Sequence, residues 1–155
     1  LKKLFYILFL ILNGVLHAQT ALYNSGNLRI HAQGQLGFHT DLINDAAFDA
    51  NLGLAGFYGS TPITVSGAVV PLFFDVEIAN DTQVFLQTGI DLLNNTNFVV
   101  GDFTTPRNQA GTVFNFLQDA FYTGAANLSK VDGYVAITNQ QNFTFPVGDS
   151  QQLRP

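Results

Sequence analysis

Residues 63–105, ITVSGAVVPLFFDVEIANDTQVFLQTGIDLLNNTNFVVGDFTT, set short apolar pairs between turn residues. Val76 and Ile78 stand two apart, so an extended backbone puts them on one face and Asp75 and Glu77 on the other. The same spacing recurs at Val84 and Leu86, at Ile90 and Leu92, and at Phe98 and Val100. Between the pairs lie AND, QTG and NNTN. Asn and Asp bond their own main chain in turns, and Gly has no Cβ to clash. From Val76 to Phe98 is a step of 22, room for three short strands. This predicts an all-β chain, a parallel β-solenoid of the β-helix type with one three-sided coil per step.

The alternative is an antiparallel β-sandwich, which also has short, evenly spaced strands. Two features favour the solenoid. Few of the turns are the two-residue Asn-Gly or Asp-Gly loops of tight hairpins. The inward pairs also follow one another closely, as from Val84 to Ile90 and from Ile90 to Phe98, a short interval for a sandwich strand and its turn.

Outward from this stretch, residues 19–35 predict a strand or two with a turn at Asn24-Ser25-Gly26-Asn27. An irregular loop is expected around Asp45 to Asn51, then a strand near Leu54 to Tyr58. Residues 106–111 form a loop. TVFNFLQDAFYTG, residues 112–124, has a weak helical pattern, but its β-branched and aromatic content favours strands. Tyr134, Val135, Ile137, Phe143 and Phe145 close the pattern.

Residues 1–18 have the layout of a signal peptide: Lys2 and Lys3, then the apolar run LFYILFLIL, then Ala18 at the cleavage edge. The apolar run is too short to span a bilayer stably. The expected mature portion is one β-rich domain, 19–155, with no membrane insertion after cleavage. Absence of Cys rules out disulfides, thiolate metal sites and a lipid-bearing cysteine. The initial Leu and the ending QQLRP, with no evident capping turn, predict the N-terminal piece of a longer protein.

Losing Lys2 and Lys3 would take the net charge from −5 to −7, with four Lys and Arg against eleven Asp and Glu. Nucleic acid needs clustered Lys and Arg, so this composition excludes it as a partner. It also disfavours an anionic membrane surface. Asn, Gln, Thr and Gly fill the polar positions, which suits stacked coils because charges in register would repel.

Candidate sites are weak. His31 and His39 lack a further ligand for zinc. Asp49-Ala50-Asn51-Leu52-Gly53 opens like a calcium loop but lacks its later acidic ligands. Asp81 and Asp102 are separated by close to one coil step, which could stack them as a calcium or acid–base pair. Solvated turn residues explain all of these more simply, and no catalytic, cofactor or metal residues are assigned. No nucleophile elbow, phosphate loop or HExxH occurs. Asn80, Asn94, Asn127 and Asn142 begin Asn-x-Ser/Thr sequons.

The runs ALYNSGNLRIHAQGQLGFHTDLIND, ITVSGAVVPLFFDVEIAND, NNTNFVVGDFTTPRNQ and FPVGDSQQLRP resemble the N-terminal region of large secreted surface proteins of gliding bacteria. Such proteins end in a gliding-motility-associated C-terminal domain that serves as a type IX secretion sorting signal. The resemblance implies export, surface display and a structural or adhesive role, with the secretion machinery as one partner and glycans or other surface ligands as others. It supplies no catalytic residues. The expected function is therefore a non-catalytic, exported cell-surface module. The alternatives are a polysaccharide-acting β-helix enzyme fragment and a calcium-stabilised structural solenoid. The loops at 44–59 and 106–111 are the first places to expect recognition.

Overall fold

The computed structural model describes residues 21–138 and 142–155. The expected signal peptide lies outside the described residues. Among those described there is no helix; thirteen strands wind through about six turns of a parallel β-solenoid. All of the paired strands run parallel, which disposes of the sandwich.

Each turn visits three faces. The first face stacks β1 (Ala21–Asn24), β3 (Asp41–Asn44) and β5 (Ile63–Ser66) on the end of β7 (Asp75–Leu86). It continues through the end of β9 (Asn95–Thr104) to β12 (Val131–Asp132). The second face stacks β2 (Gln35–Phe38), β4 (Leu54–Gly59), the starts of β7 and β9, and β11 (Phe121–Thr123). The third holds β6 (Leu72–Phe73), β8 (Ile90–Leu92), β10 (Phe114–Phe116) and β13 (Val135–Ile137). Residues 112–124 thus contribute strands, as their β-branched and aromatic content required.

The alternating pattern buries one side of every face. Leu42, Val65 and Leu86 stack inward on the first face, and Ala55, Val76 and Ile78 on the second. Phenylalanine fills the middle. Phe57 stacks on Phe38 at 4.9 Å between centroids and meets Phe73 and Phe103 edge-on at 6.0 and 5.5 Å. The chain of rings continues through Phe114 and Phe116 to Phe143. Rings at these spacings gain beyond their buried area, so Phe supplies both bulk and registration.

The step between coils differs from the one read off Val76 and Phe98. Ile78 pairs with Phe98 and Val76 with Thr96, a step of 20. Polar Thr96 therefore occupies an inward position, fully buried, and its hydroxyl has no hydrogen-bond partner among the described residues. Alternation along a strand cannot distinguish a step of 20 from one of 22, because both preserve the inward face. Between paired strands the step ranges from 19 at Gln35–Leu54 to 28 at Phe103–Val131.

Buried asparagines hold the corners. Asn24 Nδ2 donates to Asn44 Oδ1 at 2.6 Å, and Asn44 Nδ2 donates to the Val69 carbonyl at 2.9 Å. Asn51 accepts from the Ile30 amide at 2.7 Å and donates to the Leu72 carbonyl at 2.7 Å, linking three successive coils. At the corner between the second and first faces the pairing of β7 with β9 slips in register. There Gly101 adopts φ +87°, and a Cβ on it would overlap the Asn80 carbonyl, so only glycine fits.

Candidate functional site

An open groove of about 850 Å³ lies on the outside of the second face. Its floor follows from register. Outward positions on neighbouring strands form two columns, one running Gln35, Leu54, Asp75, Asn95 and Phe121. The other runs Gly37, Gly56, Glu77, Asn97 and Thr123, of which the last three line the groove. Strands sit about 4.8 Å apart, so each column is a ladder of roughly 19 Å along the solenoid axis.

Hydrogen bonds fix the polar side chains. Glu77 accepts from Tyr58 Oη on Oε1 at 3.0 Å and from Asn97 Nδ2 on Oε2 at 2.7 Å. Thr123 Oγ1 donates to Asn97 Oδ1 at 3.2 Å. Asp75 Oδ1 accepts from Asn94 Nδ2 at 2.7 Å and from the Asn95 amide at 3.2 Å. The Tyr58 ring lies over Gly56, where a Cβ would run into it, and packs beside His39 at 5.8 Å. Partial burial and then the Glu77 carboxylate raise the Tyr58 phenol above its ordinary pKa, which keeps it a donor. Phe121 stays 47% exposed at the groove edge.

The outward side of Asp75 and Glu77 was legible from alternation. Their partners were not, because Tyr58, Asn94, Asn97 and Thr123 come from other coils, and only the register brings them together.

The residues singled out from sequence are scattered. Asp81 and Asp102 do not form a rung: Asp102 pairs with Gln83, and Asp81 falls inside the register slip. Asp102 instead accepts from Lys130 Nζ at 2.8 Å and from the Lys130 amide at 3.1 Å. Lys130 is 1% exposed and lies across the longest coil, which hid it from sequence spacing. In the 49–53 segment, Asn51 is buried and bonded as a corner piece, so its side chain serves the fold. No group of three His, Cys, Asp or Glu side chains converges among the described residues. His39 packs against the Tyr58 ring. Asn80 is fully buried and binds the Thr61 carbonyl and Thr82, so its sequon encodes a corner turn.

The 106–111 loop is tied down: Arg107 pairs with Asp132, and its carbonyl accepts from Tyr134 Oη at 2.8 Å. No helix among the described residues is long and apolar enough to cross a membrane.

Known proteins give no further guide to the groove. No family model, no curated protein and no solved structure matches this chain.

Proposed function

We propose that the chain is a non-catalytic structural and adhesive module of an exported cell-surface protein. The secretion machinery delivers it, and surface ligands are its partners. Three observations support this. Residues 1–18 carry the pattern of an export signal. The solenoid is a stiff stack of main-chain ladders, suited to holding a binding face away from a cell. The observation that weighs most is the groove, where hydrogen bonds hold the Asp75, Glu77, Asn94 and Asn97 side chains in place.

A polysaccharide-cleaving reading has one observation in its favour, the acidic residues Asp75 and Glu77 in that groove. Both stand on one strand and therefore on one wall. Glycoside hydrolysis by paired carboxylates needs them on opposite sides of the scissile bond. Binding fits this geometry better than cleavage.

The test is surface labelling of intact cells of the encoding organism, combined with protease shaving and an adherence assay on a deletion strain. Accessibility at the surface and reduced adherence are expected. Retention in the cytoplasm overturns the export reading. Release of reducing ends from polysaccharides by the purified chain overturns the non-catalytic one.

A further inference from the structure

We propose that the groove on the second face is a subsite for a neutral, linear oligosaccharide lying along the solenoid axis. The inference rests on the reading of the chain as a binding module and names the chemistry of its ligand.

The groove lining contains no Lys and no Arg. Phosphate, sulfate and uronate ligands have nothing to pair with, and Asp75 and Glu77 repel them. A metal would need more than two convergent carboxylates, and no such cluster exists among the described residues. A peptide adding as a strand needs a sheet edge, whereas the groove lies on a sheet face whose inner strands are already paired on both sides. Fixed acceptors, planar amides, a half-exposed aromatic ring and the aliphatic Leu52 and Leu54 remain. That set matches a molecule with many hydroxyl donors and apolar C–H faces.

The positions match too. Glu77 and Asp75 each spend oxygens on protein donors, yet a carboxylate has about four acceptor sites, so each retains capacity for ligand hydroxyls. Asn95 and Asn97 offer amides on the next rung, and Thr123 a hydroxyl on the one beyond. Phe121 offers a ring against which the C–H face of a sugar can pack. Because the polar groups are already held by one another, little side-chain entropy is lost when the ligand arrives. The regular rung spacing favours an extended chain of sugars over a compact branched one.

The experiment is titration calorimetry of the purified chain with cellohexaose, xylohexaose, laminarihexaose and mannohexaose, set against hexagalacturonate. At least one neutral hexasaccharide should bind and hexagalacturonate should not. Glu77→Gln and Asn97→Ala should each weaken binding about tenfold. Because these two changes also disturb bonds within the protein, Phe121→Ala, at an exposed position whose side chain makes no hydrogen bond, provides the second arm and should also weaken it. Asp91→Asn, on the third face, should bind as the parent does. Absence of binding to all four neutral ligands overturns the proposal. So does equal binding of hexagalacturonate, or unchanged affinity in the Phe121 variant. Binding by a chain that the surface labelling finds in the cytoplasm would remove the export reading and leave the subsite standing. Surface display without neutral-glycan binding would do the reverse.

Discussion

The coils before Thr104 and the coil after it solve the same problem in different ways. From Ala21 to Phe103 the step stays between 19 and 23. The corners there are closed by buried asparagines that bridge to neighbouring coils. In the coil that follows Thr104 the step widens to 24, 26 and 28 on the three faces, before narrowing to 21 from Phe114 to Val135. All three ion pairs among the described residues lie between Asp102 and Arg154: Lys130–Asp102, Arg107–Asp132 and Arg154–Asp149. The lesson is one of geometry. A corner of nearly constant length places an amide opposite a carbonyl in each coil, so a short neutral side chain suffices. An inserted loop destroys that repetition, and the charged pairs Lys130–Asp102 and Arg107–Asp132 reach across instead.

Substitutions test this contrast. Asn51→Ala should cost most, about 2–4 kcal/mol, because it strands the buried Ile30 amide and frees the Leu72 carbonyl. Chemical denaturation reads it, and a loss below about 1 kcal/mol would show that the corner amides are replaceable. Lys130→Ala should cost about 2 kcal/mol. That is less than a fully buried pair, since water still reaches Asp102 at 18% exposure. Its effect should survive high salt, because buried pairs are poorly screened.

Thr96→Val should move stability the other way, by about +1 kcal/mol, since it removes a buried hydroxyl without a partner and keeps the shape. A destabilised valine variant would mean that Thr96 has a polar role. Arg107→Ala should change stability by less than about 1 kcal/mol, and only at low salt, because the guanidinium is 65% exposed. Equal losses for Lys130 and Arg107 variants would erase the distinction between buried and exposed pins.

The smallest effect is on the terminal turn. The amides of Gln151 and Gln152, then Arg154, hold the Asp149 carboxyl down to about 2. A depressed carboxyl stabilises above its unfolded pKa and loses that contribution as pH falls through the folded value. The 149–154 turn should therefore persist at pH 4 and loosen only as pH approaches about 2. Carbon-13 NMR of the Asp149 carboxyl checks it; a midpoint near the ordinary aspartate value would show that the turn does not hold in solution.

Much of the fold was legible, and for a definite reason. Alternation at Val76 and Ile78, Val84 and Leu86, and Ile90 and Leu92 is a local property of a strand, and each of these side chains is buried. Turn residues between them are local too. The coil step was misread by two because Thr96 holds an inward place that an apolar residue was expected to fill. Of the groove, only the outward placement of Asp75 and Glu77 could be foreseen. Tyr58, Asn97 and Phe121 belong to other strands, and loops of unequal length conceal which residue of one coil faces which of the next.

Taken alone, the sequence determined that this chain is all-β, that its strands are short with one buried side, and that without cysteine it holds no disulfide scaffold. Those properties depend on neighbours along the chain and on totals. The tertiary structure decided the register of β7 on β9, the partnership of Asp102 with Lys130, and the assembly of the groove from successive strands of one face. These depend on hydrogen bonds between parts of the chain a whole coil apart, and such pairings are fixed only when the core has packed.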